Sequence, residues 1–267
     1  MTPVAFKRSI RDLQVWCSSC MVAFSGSDPI GVLIGAKRPS GTLIHRLAVH
    51  PEHRRQGHGR HLLASLGSKL AILGPPRIVA EVPDSNVPAS ELFSAGGYAQ
   101  EALLTDYVLT DVGPSFSSTA GVGPNVSSAA PRGEEADAGR FVIPVTVDDL
   151  AANGLLGEAD PQVCWERAVE TLTARKDDIA GLAVASGERI EAYVLYVQGG
   201  EIVSLRTFVE DGGARLKQLL ARLTAQGRRA FRFPKAHPSE VSSELLETLG
   251  FRPAGAHRLY AATARSG

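Results

Sequence analysis

Between Val112 and Gly139 the chain reads VGPSFSSTAGVGPNVSSAAPRGEEADAG, almost wholly glycine, serine, alanine, proline and acidic residues. Such a stretch cannot bury enough apolar surface to offset the cost of ordering its backbone. It divides the 267 residues into parts 1–112 and 140–267, joined by a flexible linker at 113–139. Each part is long enough to enclose a core of its own. A hydrophobic fraction of 44% supports two such cores, and three cysteines exclude a small disulfide scaffold.

Charge and hydropathy remove further classes. Lys and Arg number 28 against 28 Asp and Glu, so there is no overall attraction to phosphate backbones or anionic lipid. No apolar run approaches the roughly 18–20 residues that cross a bilayer, and MTPVAFKRSIRDLQVW lacks the apolar stretch of a secretion signal. The expectation is a soluble, cytoplasmic protein with neither nucleic acid nor membrane as partner.

Cys17 and Cys20 form a Cys-x-x-Cys pair, the spacing of a thioredoxin-type redox motif. Such a pair should open a helix, whereas Met21 to Phe24 is β-prone. Only Cys164 is left over, so a four-thiolate zinc site cannot be built from one chain. The expected state is buried, reduced thiols and no metal.

Hydrophobic periodicity and turn residues give strands at 21–25, 31–37 and 42–49, a helix at 57–73, a strand at 77–82, a helix at 89–95 and a strand at 103–109. After the linker come a strand at 141–145, helices near 147–156 and 161–175, and strands at 180–186, 190–198 and 201–209. A helix at 214–226, a strand at 229–233, a helix at 241–249 and a strand at 257–263 follow. The two series superpose. Leu47-Ala48-Val49 matches Leu205-Arg206-Thr207, Leu62-Leu63 matches Leu219-Leu220, and the run Glu91 to Tyr98 matches Glu244 to Phe251. This reads as an internal duplication, the alternative being chance likeness of two α/β halves.

The stretch from Leu47 to Leu63, LAVHPEHRRQGHGRHLL, holds the most chemistry. A β-run ends at Val49, a turn follows, and an amphipathic helix begins inside a loop containing Gly57 and Gly59. Glycines allow close backbone approach, and the first unpaired N–H groups of a helix, at its positive dipole end, form a phosphate site. Arg54, Arg55 and Arg60 add positive charge. The loop is neither a Walker P-loop, lacking Gly-Lys-Ser/Thr, nor a Rossmann fingerprint, lacking the third glycine.

This stretch resembles motif A of the GNAT superfamily of N-acetyltransferases: Arg54-x-x-Gly57-x-Gly59, preceded by Leu47, Val49 and Pro51. Asn86, Ala89, Leu92-Phe93 and Gly97-Tyr98 resemble the block that follows it in the family. The resemblance covers roughly residues 20–110. It implies a mixed α/β (α+β) sheet, two GNAT-like domains in tandem, and acetyl-CoA as co-substrate. It also implies that the strand before the loop splays from its neighbour. Leu47, Ala48 and Val49 are then expected to hold the pantetheine and thioester, Arg54, Arg55, Gln56, Gly57, His58, Gly59 and Arg60 the pyrophosphate, and Asn86 the pantetheine side.

The implied reaction is direct attack of a primary amine on the thioester, with a small-molecule or peptide amine as acceptor and a homodimer admitted. Orientation and carbonyl polarisation supply much of such a rate. His45 is the candidate proton acceptor: it lies just before Leu47-Ala48-Val49 and matches the histidine of the His-x-Leu-Ala-Val-His run in a branch resembling arylalkylamine acetyltransferases. A strand histidine bonded to its neighbours is the alternative. Phe93 stands in the cofactor-binding block where many relatives have a tyrosine that protonates the departing thiolate; water, Tyr98 or Tyr107 then has that task. His50, His53, His58 and His61 show no HExxH pattern.

In the second part, Asp211-Gly212-Gly213-Ala214-Arg215-Leu216 stands at the phosphate loop, with an acid in place of the arginine and Leu216 in place of the second glycine. A carboxylate repels diphosphate. Residues 140–267 are therefore expected to be a degenerate copy without cofactor. Residues 1–112 have too little chain before their first strand for the opening strand and helices, so the second part is expected to complete the acceptor pocket. A non-catalytic acetyl-CoA sensor is the rival reading.

Overall fold

The computed structural model describes residues 2–110, 140–156 and 163–264, and the linker expected at 113–139 lies outside them. The first half runs α1 (Pro3–Leu13), β1 (Met21–Ser25), β2 (Asp28–Arg38), β3 (Gly41–Val49), α2 (His58–Leu73), β4 (Arg77–Pro83), α3 (Val87–Ala95) and β5 (Ala99–Leu109). The second runs β6 (Phe141–Val145), α4 (Val147–Ala152), α5 (Val169–Ala174), β7 (Ile179–Ala185), β8 (Ile190–Val197), β9 (Ile202–Thr207), α6 (Ala214–Ala225), β10 (Phe231–Ala236), α7 (Ser243–Thr248) and β11 (Arg252–Thr263). From β3 and β9 onward the halves repeat one another: strand, helix, strand, helix, strand.

Local chemistry explains the elements. Leu62, Leu63, Leu66 and Leu70 put one apolar stripe of α2 on the sheet, as Leu216, Leu219, Leu220 and Leu223 do for α6. Asn86 caps α3, its Oδ1 accepting from Ala89 N at 3.3 Å. Thr146 and Asp149 form a reciprocal capping box that starts α4. The periodicity reading gave no helix before Met21, where the structure has α1, begun by Pro3 at a position that needs no N–H.

The sheets do not respect the division of the chain. The larger has the order β1-β2-β3-β4-β11-β5-β10, the smaller β6-β7-β8-β9. The last strand of the second half, β11, lies antiparallel between β4 and β5 of the first. Beyond β5 comes β10, paired from Phe231↔Leu109 to Ala236↔Thr105. Each half thus lends its final strand to the other. Among the described residues the two sheets are joined by the main-chain bridge Glu201↔Arg232, where Arg232 N donates to Gly200 O at 3.0 Å, and by side chains packed in a common core.

The cores are shared in the same way. Tyr107 and Leu109 of the first half sit among Leu216, Phe231 and Phe251 of the second. Tyr260 joins Leu66, Ile78 and Phe93, while Trp165 and Leu259 join Leu13, Leu43 and Val79. At roughly 1.5–3 kcal/mol for each large buried side chain, five that cross contribute on the order of 10 kcal/mol to holding the halves together.

Candidate functional site

The parallel ladder between β3 and β4 consists of Thr42↔Ile78 and Leu43↔Val79. β3 continues to Val49 and β4 to Pro83 without further pairing to each other, and a wedge opens between them. On its other side β3 carries a bulge: Ile34 faces Arg46 and Gly35 faces Ile44, so His45 is the extra residue.

A cleft of about 700 Å³ lies beside the wedge, between the end of β3, the loop that follows it and α3. Leu47, Ala48, Val49, Arg54, Arg55, Gly57, His58, Gly59 and Arg60 line one wall, and Asn86, Ala89 and Leu92 stand opposite. Gly57, at φ 87°, caps α2 in the left-handed region that glycine adopts without cost. The first α-helical bond is His61 N to Gly57 O, so the N–H groups of His58, Gly59 and Arg60 have no acceptor within the helix. Arg54 Nε donates to Val49 O at 3.0 Å and fixes the loop to the strand. Arg55 stays at the surface, 3.5 Å from Glu91.

Other expected residues have different surroundings. Gln56 Nε2 donates to Glu52 O at 3.0 Å, bracing the turn, and Gln56 is not part of the cleft wall. Phe93 is buried in the core, stacked on Tyr260 at 5.7 Å and edge-on to Tyr98 at 5.2 Å. Gly59 has a packing reason beyond its loop role, because a Cβ there would lie 3.1 Å from Leu92 Cδ2. Burial pushes the Tyr98 hydroxyl up to about 12, and Tyr107 lies in the core of the second half.

His45 is half-buried, and its pKa is lowered first by burial and then by Arg46 and Lys235, against the pull of Glu166 and Glu81. An imidazole so placed is neutral near pH 7 and able to accept a proton. The groups acting on it belong to a cluster that sequence reading missed. Glu81 Oε2 is 2.9 Å from Lys235 Nζ, its Oε1 accepts from Trp165 N at 2.7 Å, and Lys235 Nζ is 3.3 Å from Glu166 Oε1. Burial raises the Glu81 carboxyl, but Lys235 and the Trp165 N–H outweigh it and hold it below the usual range. Burial likewise opposes the charge of Lys235, and Glu81 and Glu166 more than restore it. No motif signals these residues, since they come from both halves.

The second half closes its equivalent of the cleft wall from within. Gly213, at φ 83°, caps α6 as Gly57 caps α2. The Asp211 carboxylate accepts from Gly213 N at 2.9 Å and from Arg215 N at 2.8 Å, covering the helix start. Matching the two caps places Arg215, not Leu216, at the position of Gly59; Leu216 is core. Arg215 Nε reaches Glu191 Oε2 at 2.8 Å, a carboxylate shared with Arg140.

Of the cysteines, Cys17 is exposed rather than buried, because it lies in the 3-10 turn ahead of edge strand β1. Cys20 Sγ donates to Trp16 O at 3.3 Å, and burial pushes the Cys164 thiol up to about 12. Among the described residues no group of three or more His, Cys, Asp or Glu could hold a metal ion, and no helix is long and apolar enough to cross a membrane.

A strand followed by a glycine-capped helix thus occurs once in each half of the chain. Residues 3–98 match the Acetyltransferase (GNAT) family. No curated protein matches the chain. Among solved structures it is similar to a tandem GNAT protein from the clavulanic acid biosynthesis pathway, at TM-score 0.63 and 17% identity, over 100% of this chain and 89% of that one. It is similar to a GCN5-related N-acetyltransferase from Sphaerobacter thermophilus, at TM-score 0.58 and 15% identity over 93% and 81%. A probable N-acyltransferase from Enterococcus faecalis V583 gives TM-score 0.61 and 14% identity over 99% and 66%. The family match thus covers residues 3–98, and over its whole length the chain shares the fold of a tandem GNAT protein. Members of this family are acetyltransferases and generally use acetyl-CoA.

Proposed function

We propose that this protein is an acetyl-CoA-dependent N-acetyltransferase whose first half holds the acetyl-CoA and whose acceptor is a small-molecule or peptide amine. The observation that supports it most is the cleft between the end of β3 and α3, beside the β3–β4 wedge and walled by His58, Gly59 and Arg60, whose amides have no acceptor within the helix. Those amides and the positive end of α2 suit a diphosphate. The backbone of Leu47 to Val49, unpaired on the β4 side, suits the amide groups of the pantetheine arm.

The acceptor nitrogen forms its bond to the acetyl carbon while the carbon–sulfur bond breaks. The proton leaving the amine passes to His45 and then to solvent; the thiolate takes its proton from water. Tyr98 and Tyr107 are unsuited to that second transfer, both being buried in cores. A thiolate is a good leaving group, so positioning in the wedge supplies the larger share of the rate. Acetyl-CoA binds once per chain, because Asp211 and Arg215 cover the second helix start.

Calorimetric titration with acetyl-CoA is expected to give one site. Two equivalent sites, or none, would overturn the assignment. Labelled acetyl transfer to an amine panel separates the enzyme from an acetyl-CoA sensor, a reading that the buried Phe93 and Tyr98 favour. His45→Gln is expected to lower kcat about tenfold at pH 7 with KM for acetyl-CoA unchanged. The wild-type rate should rise through an ionisation below the ordinary histidine value of about 6.5, and the variant should lose that limb.

A further inference from the structure

A second cleft, of about 580 Å³, opens where α1 of the first half meets the short turns at Trp165–Arg167 and Lys176–Asp178 of the second. Its volume is in the range of small-molecule sites. Most of its charges are already paired. Asp178 takes Arg8 at 2.9 Å, and Asp12 takes Arg11 Nε at 2.9 Å. Glu166 takes Lys235 through one oxygen, and Arg175 and Asp177 take no ion pair among the described residues.

Glu166 differs from an ordinary surface carboxylate because it ends a buried chain of charges. Glu81 has a side chain 6% exposed and uses both oxygens, on Trp165 N and Lys235 Nζ. Lys235 Nζ then touches Glu166 Oε1 at 3.3 Å, while the Glu166 side chain is 40% exposed and its Oε2 takes no hydrogen bond among the described residues. Lys235 is held in this place at φ 53°, in the left-handed region, with its N–H donating to Asp106 Oδ1 at 2.8 Å. A non-glycine residue is kept there only at a cost in backbone strain, and such outliers gather at working sites. Glu81 lies on β4 two residues beyond Val79, as His45 lies on β3 two residues beyond its partner Leu43, and Glu81, Lys235 and Glu166 act with Arg46 on the His45 imidazole. The second cleft and the end of the wedge therefore share one electrostatic cluster.

We propose that this interdomain cleft is the acceptor site, with Glu166 binding the acceptor's ammonium group and Arg175 a carboxylate of the same molecule, so that the acceptor is an amino acid or short peptide. The inference rests on the acetyltransferase reading and adds its substrate class. The second half, having closed its own anion site, supplies both charged groups that hold the substrate of the first. Glu166 receives the amine as its ammonium, and deprotonation at His45 frees the nitrogen for attack; the displaced thiolate is protonated by solvent.

The test uses the full chain with coenzyme A bound and a panel of the twenty amino acids and glycylglycine, each beside its amide, with N-acetylglycine as the carboxylate-only probe. At least one zwitterion is expected to bind, at least tenfold tighter than its amide, and N-acetylglycine to bind weakly or not at all. With acetyl-CoA, Glu166→Gln is expected to raise KM for that acceptor at least tenfold, leaving the Kd of acetyl-CoA unchanged. Arg175→Gln should erase the preference for the zwitterion over its amide. Glu166→Asp, which keeps the charge, should restore part of the loss, and unchanged melting temperatures exclude unfolding as the cause. Equal binding of zwitterions and amides, no zwitterion bound at 10 mM, or an unaltered KM in Glu166→Gln would each overturn the proposal. Zwitterion binding without acetyl transfer would uphold the site and overturn the enzyme; loss of acetyl-CoA binding in the wild type would overturn the reading beneath it.

Discussion

At the start of α2 a left-handed glycine leaves backbone amides facing an open cleft; at the start of α6 an equivalent glycine presents the same amides to Asp211. Both cap glycines lie in the left-handed region, at φ 87° and ψ −7° against φ 83° and ψ 14°. The difference lies in side chains. A carboxylate of the chain itself has taken the position an anion would need, and Arg215 fills the space that Gly59 leaves small. The comparison teaches that one carboxylate of the chain can cover the amides of a helix start with no change of fold. It also shows why the second copy persists: it supplies β11, Tyr260 and Trp165 to the first half.

The strongest way to break the comparison is to separate the halves. Residues 1–112 alone lack β11, leaving β4 and β5 unpaired along their facing edges, and are expected to aggregate or to unfold without a cooperative transition. Size-exclusion chromatography and circular dichroism check this. A soluble, active fragment would show that the exchanged strands are dispensable.

Next comes Lys235→Met, which strands the buried Glu81 carboxylate and should cost about 3 kcal/mol. The sign follows from the two shifts. Glu81 is depressed in the folded protein, so its contribution is present above the unfolded value of about 4.3 and lost as pH falls through its folded value. Lys235 is raised, so its contribution is present below about 10.4 and lost as pH climbs through its folded value. Denaturation at pH 7 and pH 4 should therefore show the variant's deficit shrinking on acidification.

Gly59→Leu imitates a closed helix start. Coenzyme A affinity should fall at least 100-fold, as expected from the loop, and the 3.1 Å approach of a Cβ to Leu92 adds a packing cost of about 1–3 kcal/mol. Titration and thermal melting separate the two effects. The smallest change belongs to Asp211→Ala, which uncovers the second helix start at about 1 kcal/mol. With Arg215 still in place, acetyl-CoA stoichiometry should remain one.

Much of the first site was legible along the chain because its parts are contiguous. β3, the loop and α2 span residues 41–73 without interruption, and the glycine and arginine positions announce a cradle for phosphate. Leu47 to Val49, Arg54, Arg55 and Gly57 to Arg60 indeed share one cleft wall with Asn86 across from them. Gln56 and Phe93 were less legible, since spacing alone does not say whether a side chain faces the cleft, the turn or the core. The one-residue difference in matching Asp211–Leu216 to the first loop has a similar cause: the cap glycine, not the charge pattern, fixes the register.

By itself the sequence determined most of the local elements after Met21, the repeat and the glycine-containing loop before α2, because each rests on neighbours within a few turns of chain. Only the tertiary structure decided that β5 and β11 are exchanged and that α1 occupies the front of the first half. The same holds for Glu81, Lys235, Glu166 and His45, which it brings into one electrostatic cluster. The physical reason is separation along the chain: Glu81 and Lys235 are 154 residues apart, and no local propensity carries information about which strand will fill an open sheet edge.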